Sequence, residues 1–167
     1  SKEGKAYLSE MNYCVDFAFK NRKLIMDLVI DVVVDVCGKE KIKFVKKDFG
    51  KQIDVAHNYA SIEKHFGERV VVHRKGATSA KKGEIGIIPG SQGSVSYIVR
   101  GKGNKDSFMS CSHGAGRKMS RKGAREKLDL EKEKKKLKDL GVVHGIRNKK
   151  DLDEAAGAYK DIELIIN

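Results

Sequence analysis

The first 37 residues constrain the fold most, because one periodicity runs through nearly all of them. Small and apolar side chains recur every three to four residues, the pattern of an amphipathic helix, at Tyr7, Met11, Cys14, Ala18, Asn21-Arg22, Ile25, Leu28, Val29, Val32 and Val33. The sequence therefore predicts a helix over residues 1–37 that ends near Gly38. The β-branched residues from Val29 to Val36 leave a strand as an alternative there. Cys14 lies on the apolar face and is expected to be packed rather than reactive.

The composition excludes a disordered or membrane-embedded chain. Of the 167 residues, 40% are hydrophobic and 35% are charged, which is enough for one domain with a core. The most apolar run, residues 24–37, is interrupted by Asp27, Asp31 and Asp35 and is too charged to cross a bilayer. The sequence shows no secretory signal. We therefore expect a single cytoplasmic domain over residues 1–167, without a membrane partner.

The charge is strongly basic and concentrated in one segment. The net charge is +12, and residues 117–150 hold fourteen Lys or Arg against five Asp or Glu, a net +9. This indicates a polyanionic partner, with nucleic acid as the first candidate; a solvated helix face is the alternative. The three cysteines lack the spacing of a zinc or redox site and are expected to be reduced thiols.

A second helix is predicted from an N-cap at Asp54 to about Phe66, closed by Gly67. His57, Ser61 and His65 would share one face of it. The two histidines would then lie about 12 Å apart, so at most one of them could be a ligand of a given metal. A helix-surface histidine is the alternative reading of each.

Later elements alternate without a regular strand–helix repeat. Strands are predicted over residues 69–73, 85–88, 94–99 and 142–146, a charged helix over 121–140, and a final helix from Asp161. This order favours α+β layers over a doubly wound sheet. The Pro89–Gly93 turn could be an anion-binding concavity or an ordinary hairpin turn. It has neither the Walker A nor the Rossmann spacing.

The segment from Cys111 to Arg117 sets a histidine among small residues. Gly114 and Gly116 allow the backbone to approach a ligand closely, and Arg117 offers a planar fork to phosphate. His113 could be a general base, a metal ligand or a covalent nucleophile. From the residues alone, a glycine-rich turn with a surface histidine remains open.

Five motifs follow one another along the chain, after a helix running from Ala6-Tyr7 to Asn21-Arg22. They are His57-Asn58, His73-Arg74-Lys75-Gly76-Ala77-Thr78, Ile88-Pro89-Gly90-Ser91-Gln92-Gly93-Ser94-Val95-Ser96-Tyr97, His113-Gly114-Ala115-Gly116-Arg117 and Ala156-Gly157-Ala158-Tyr159-Lys160. In this order they resemble the RtcB family of tRNA-splicing and RNA-repair ligases. The resemblance covers essentially the whole chain and implies the family's layered α/β architecture around a central nucleotide and metal cleft.

The resemblance implies a GTP- and manganese-dependent RNA ligase. Such an enzyme joins an RNA 3′-phosphate or 2′,3′-cyclic phosphate end to a 5′-hydroxyl end. A histidine takes GMP from GTP, GMP passes to the RNA 3′-phosphate, and the 5′-hydroxyl displaces it. The implied partners are broken or spliced tRNA-like RNA ends and GTP, with room for an activating protein partner.

Individual roles follow from the resemblance. His113 matches the histidine that carries GMP, and His57 matches a manganese ligand, which leaves His65 as structural. Arg117 and Arg121 are implied contacts to RNA or phosphate. The implied nucleotide contacts, with Tyr159 stacking on guanine, are Asn58, Lys75, Pro89, Gly90, Ser91, Gln92, Ser96, Gly114, Ala115, Gly116 and Tyr159.

The chain departs from the family pattern in its metal ligands. The family's aspartate, cysteine and two further histidines are not matched by Cys14, Cys37, Cys111, His65, His73 or His144, and its terminal Lys-Gly is also unmatched. The sequence is thus expected to be the C-terminal portion of such a ligase, with an incomplete cleft and no ligation by this portion alone. A non-catalytic basic module that binds RNA or nucleotides, or a fragment without activity, are the alternatives.

Overall fold

A computed structural model describes residues 1–166 and contains both helices and strands. The predicted α+β class is confirmed, and the family's layered cleft stays a prediction. The α-helices are α1 (Lys2–Lys39), α2 (Arg121–Lys127), α3 (Leu130–Asp139) and α4 (Glu163–Ile166). The strands are β1 (Asn58–His65), β2 (Glu68–Lys75), β3 (Ala77–Ser79), β4 (Ile85–Ile88), β5 (Tyr97–Arg100) and β6 (Ser110–Ser112), and short 3-10 helices occupy Lys46–Asp48, Lys149–Glu154 and Ala156–Ala158.

The contacts divide the chain into two compact units. The N-terminal unit is Ser1–Lys75 and contains α1, β1 and β2. The C-terminal unit begins at Gly76 and contains the remaining strands and helices. Each unit has its own hydrogen-bonded strands. The single domain expected over residues 1–167 stays a prediction.

Helix α1 confirms the predicted N-terminal helix and continues through Gly38. The Ser1 hydroxyl caps it by accepting from the Gly4 amide at 3.1 Å. The β-branched segment remains helical, so the strand alternative is wrong. The packed role expected for Cys14 is also wrong, since this side chain is exposed. Within residues 1–166, no helix is both long and apolar enough to cross a membrane.

Strands β1 and β2 form an antiparallel hairpin, so the predicted helix from Asp54 to Phe66 is wrong. The turn at Phe66 and Gly67 has φ of 51° and 87°, the left-handed pair that a two-residue hairpin requires. All eight residues of β1 pair with β2, from Asn58 opposite Lys75 to His65 opposite Glu68. The less exposed face of β1 carries the polar side chains Ser61, Glu63 and His65, so no apolar alternation marked this strand, and its pairing with β2 decides the structure. Asp54 instead accepts from Arg22 Nε at 2.6 Å.

The C-terminal unit contains two further antiparallel pairs. β4 pairs with β5 and β3 with β6. The strand predicted over residues 85–88 is confirmed, and the one predicted over 94–99 begins later, at Tyr97. One core of this unit lies beside these strands and consists of Ile88, Ala115 and Ile162.

Helices α2 and α3 replace the single helix predicted over residues 121–140. Ser120 caps α2 by accepting from the Gly123 amide at 3.0 Å, and Asp129 caps α3 by accepting from the Lys132 amide at 2.8 Å. The second cap restarts the helix, which explains the break. The strand predicted over 142–146 is also wrong: this segment is irregular, because Ile146 packs into a core with Leu137, Leu152 and Ala155 rather than beside a strand. The predicted final helix is present as α4.

Candidate active site

His113 lies directly after β6, opposite the residue that precedes β3. The register pairs Ala77 with Ser112, so the next pair outward is Gly76 and His113. The imidazole Nδ1 is 2.7 Å from the Gly76 carbonyl oxygen. Gly76 has a φ of 65°, a left-handed conformation that favours glycine. Glycine at this position therefore helps to present the carbonyl that orients the imidazole.

The loop after His113 is joined to the Pro89 turn. The Ala115 amide donates to the Pro89 carbonyl at 3.0 Å, and both Gly114 and Ala115 are buried. A Cβ on Gly114 would lie 3.2 Å from that carbonyl oxygen, so glycine fits this close approach. The Ser112 hydroxyl donates to the Gly114 carbonyl at 2.7 Å and holds the loop from its other side.

The Pro89–Ser96 turn is closed by its own serines. The Gly90 amide donates to Ser96 Oγ at 3.3 Å, and the Ser91 amide donates to Ser94 Oγ at 2.7 Å. A Cβ on Gly90 would lie 2.1 Å from the Val95 carbonyl oxygen, which only glycine avoids. Three of the predicted nucleotide contacts in this turn, Pro89, Gln92 and Ser96, are exposed. The turn is thus a rigid polar loop beside the His113 loop.

Tyr159 is attached to the far end of the His113 loop. The Lys160 amide donates to the Gly116 carbonyl at 2.9 Å, and the Lys118 amide donates to the Ala158 carbonyl at 2.9 Å. These two bonds form a bridge that pairs Arg117 with Tyr159. The structure therefore brings the predicted nucleophile loop, the Pro89 turn and the predicted guanine-stacking tyrosine into one constellation.

Arg117 lies over the Tyr159 ring and is extensively hydrogen-bonded. Its guanidinium carbon is 4.9 Å from the ring centroid, a cation–π geometry. Its Nη1 donates to Tyr159 Oη at 3.1 Å and to Glu154 Oε2 at 3.3 Å, and its Nε donates to the Met119 carbonyl at 3.1 Å. Its Nη2 donates to the Asp153 carbonyl. In this arrangement Arg117 holds protein groups, and its predicted contact to RNA stays a prediction.

Glu154 links three side chains that the sequence singled out. It accepts from the Tyr159 hydroxyl, from Arg117 and, at 3.0 Å, from Arg121 Nε. The hydrogen bond from Tyr159, followed by that from Arg121, holds the pKa of Glu154 below its ordinary value. Burial, with Glu154 beside it, raises the pKa of Tyr159. Sequence reasoning missed Glu154, because its contact with Arg117 joins residues 37 positions apart.

The N-terminal unit groups the other predicted site residues. The hairpin register places Asn58 opposite Lys75, and His57 directly precedes the strand. His57 and Asn58 also line a cavity of about 180 Å³ together with Cys14 and Arg22 of α1. His57, Asn58 and Lys75 therefore lie together at the open end of the β1–β2 hairpin.

His57 does not belong to a complete metal site in the part of the chain that the structure describes. Among residues 1–166, no group of three or more His, Cys, Asp or Glu side chains is arranged to hold a metal ion. His65 is buried, and its Nε2 is 2.8 Å from Glu63 Oε2. That contact supports the structural role predicted for His65.

The constellation is a histidine held by a backbone carbonyl among glycine-rich loops, in a basic chain of mixed helices and strands. The chain belongs to the RtcB family: the family model described as tRNA-splicing ligase RtcB matches residues 1–167.

Individual relatives support this membership. The chain is 41% identical over 160 residues to RNA-splicing ligase RtcB1 of an Escherichia coli strain, covering 96% of this chain and 38% of that protein. It is 39% identical over 160 residues to RNA-splicing ligase RtcB of Escherichia coli K12, with the same coverage. It is 35% identical over 188 residues to tRNA-splicing ligase RtcB of Pyrococcus horikoshii, covering 99% of this chain and 21% of that protein. The chain thus spans 38% or less of the length of these relatives.

Proposed function

We propose that the protein containing this chain is an RNA ligase that joins a 3′-phosphate or 2′,3′-cyclic phosphate end to a 5′-hydroxyl end, using GTP. The names of its relatives, RNA-splicing and tRNA-splicing ligase, support RNA ligation. The observation that carries the role of His113 is the 2.7 Å contact between its Nδ1 and the Gly76 carbonyl. A carbonyl oxygen can only accept, so Nδ1 carries the proton in the neutral ring and the in-plane lone pair lies on Nε2. That tautomer is the one a nucleophile needs.

On a 3′-phosphate end the proposed reaction has three steps; a 2′,3′-cyclic phosphate must first be opened by water, which breaks the bond from phosphorus to O2′ and leaves a 3′-phosphate and a 2′-hydroxyl. Nε2 of His113 attacks the α-phosphorus of GTP, a P–N bond forms, and the bond to the leaving pyrophosphate breaks. An oxygen of the RNA 3′-phosphate then attacks that phosphorus, which breaks the P–N bond and activates the RNA end. The 5′-hydroxyl attacks the activated 3′-phosphorus, loses its proton and expels GMP.

The remaining site residues have proposed roles around the nucleotide. The Pro89–Ser96 turn, including Gly90, Ser91 and Gln92, would contact the guanosine, and Tyr159 would stack on its base. Asn58 and Lys75 at the hairpin end would contact the nucleotide.

Manganese does not fit the described residues as a complete site. His57 is proposed as one ligand, but a protein normally supplies several, and no cluster within residues 1–166 provides them. The other ligands of the metal would have to lie outside these residues.

Labelling with GTP tests the proposal on the natural gene product. With α-labelled GTP and manganese, we expect a protein-bound GMP adduct that acid releases, as P–N bonds are acid-labile. His113→Ala should abolish it. His144→Ala, which changes a histidine whose Nδ1 accepts from the Ile146 amide at 3.3 Å, should retain it. Labelling that survives in His113→Ala would overturn the assignment.

A basic RNA-binding module is the second candidate, favoured by the net +9 of residues 117–150. It predicts RNA retention in a gel that falls steeply between two salt concentrations, without a GMP adduct under any metal. The ligase predicts the adduct as well, so running both assays on the same preparation separates the two candidates.

A further inference from the structure

We infer that Glu154 is a positioning residue that couples the base subsite at Tyr159 to the RNA subsite at Arg121. The inference rests on the proposed function, because it takes Tyr159 as the platform for guanine and Arg121 as a phosphate contact. Glu154 itself belongs to none of the motifs that identified those roles.

The first argument is that the two carboxylate oxygens of Glu154 accept hydrogen bonds from different partners. Oε2 accepts from the Tyr159 hydroxyl and from Arg117 Nη1 at 3.3 Å, and Oε1 accepts from Arg121 Nε at 3.0 Å. One carboxylate therefore fixes the phenol at one oxygen and the exposed arginine at the other. Charge-assisted hydrogen bonds of this kind are stronger and more directional than neutral ones.

The second argument is what each partner still offers to a ligand. Arg117 already uses its Nε and both terminal nitrogens on protein groups. It covers one face of the Tyr159 ring, so a base must use another part of the ring or displace it. Arg121 is different, since its side chain is 69% exposed and Glu154 engages it through Nε. The two terminal nitrogens of its fork are therefore presented for bidentate contact with a phosphate.

The third argument is the contrast with the neighbouring Asp153. Its carboxylate accepts from Arg125 Nη2 at 2.7 Å, and this hydrogen bond, followed by the charge of Arg125, holds the pKa of Asp153 below its ordinary value. Asp153 and Glu154 thus carry the same charge on the same 3-10 helix. Only the side chain of Glu154 is bonded to Tyr159 and Arg121, which makes Asp153 the matched control.

The test measures the dependence of GMP labelling on GTP concentration in the natural gene product. Glu154→Ala should raise KM for GTP about tenfold and leave the maximal labelling rate within about twofold, because Glu154 does not touch the reacting atoms. It should also weaken RNA retention. Glu154→Gln keeps an acceptor for the Tyr159 hydroxyl, so its KM for GTP should lie closer to that of the unmodified protein than to that of Glu154→Ala. This variant also provides a measurement of KM if the alanine variant does not fold. Asp153→Ala should leave KM unchanged.

A double-variant cycle separates positioning from general structure. Tyr159→Phe removes the hydroxyl that donates a hydrogen bond to Glu154. The double variant Tyr159→Phe/Glu154→Ala should therefore have the same KM for GTP as Glu154→Ala alone. Additive effects, an equal KM change in Asp153→Ala, or a loss of maximal rate without a change in KM would overturn the inference. Absence of the adduct in the unmodified protein would instead overturn the proposed function, and the inference with it.

Discussion

Replacing Glu63 by glutamine should loosen the β1–β2 hairpin, because Glu63 is the centre of a buried polar cluster. It accepts from Arg74 at 2.7 and 3.0 Å and from the Ser61 hydroxyl at 2.6 Å, and His65 Nε2 lies 2.8 Å away. The side chains of Glu63 and Arg74 are 7% and 1% exposed. The glutamine variant retains the shape but leaves the guanidinium without a carboxylate.

The expected magnitude follows from that burial. Breaking a buried ion pair by removing one partner costs about 3–5 kcal/mol. At about 1.4 kcal/mol for each factor of ten, the equilibrium constant for opening the hairpin should rise by more than about 100-fold.

The same contacts predict a pH dependence. The hydrogen bonds from Arg74, above all, hold the pKa of Glu63 well below its ordinary value. A carboxylate with a lowered pKa in the folded state stabilises the fold above its unfolded pKa of about 4.3, and this stabilisation is lost as the pH falls below that value. The unmodified hairpin should therefore weaken below about pH 5, and Glu63→Gln should lose this part of the pH dependence.

Amide hydrogen exchange of β1 and β2 measures both effects. Glu68→Gln is the matched control, since it removes the same charge from an exposed position of the same hairpin. In the double variant Glu63→Met/Arg74→Met, the amides of β1 and β2 should exchange more slowly than in Glu63→Gln, because no buried charge is left unpaired. Exchange in Glu63→Gln that stays within about threefold of the Glu68→Gln control, against the 100-fold expected from a buried pair, would refute the reasoning.

Three further substitutions test the backbone around the site. Gly76→Ala should lower the free energy of unfolding by about 1–2 kcal/mol, because alanine is strained at the left-handed φ of this position. It should also slow GMP labelling of the folded protein, because the carbonyl that orients His113 shifts; an unchanged labelling rate would contradict this. Gly90→Ala places a Cβ 2.1 Å from a backbone oxygen and should cost about 1–3 kcal/mol in thermal unfolding, whereas Gly145→Ala, with open space around it, should change stability by no more than about 0.5 kcal/mol. Asp129→Ala removes the N-cap of α3 and should cost about 1 kcal/mol without changing GTP binding, as a melting curve and a GTP titration would show.

The local signals that predicted correctly were those with one dominant pattern. Helix α1 follows from a single period sustained over many turns, and residues 85–88 are a short isoleucine-rich run that ends at Pro89-Gly90. The segment from Asn58 to His65 fits a helical pattern, whereas its less exposed strand face is polar. The choice between helix and strand therefore depended on a partner strand that no local window contains. Asp129 is a residue type that favours the N-cap of a new helix, but charged residues with helical spacing lie on both sides of it. The sequence therefore predicted one continuous helix where the structure has α2 and α3.

The sequence predicted which residues belong to the candidate site, but it did not predict which of them contact one another. The motif order named His113, the Pro89 turn and Tyr159, and the structure joins them through backbone hydrogen bonds between segments far apart in sequence. No spacing rule predicts that Arg117 would be occupied by Tyr159 and Glu154. Those contacts depend on the path of residues 149–159, which sequence patterns did not determine.

The strand assignment also changes why His57 and His65 cannot hold one metal together. On a helix they would be about 12 Å apart. On an extended chain the eight intervening steps span about 26 Å at 3.3 Å per residue. His65 is moreover buried and in contact with Glu63, while His57 is exposed beside Asn58 at the open end of the hairpin. At most one of these two histidines can therefore be a ligand of a given metal, and the metal-ligand role of His57 stays a proposal.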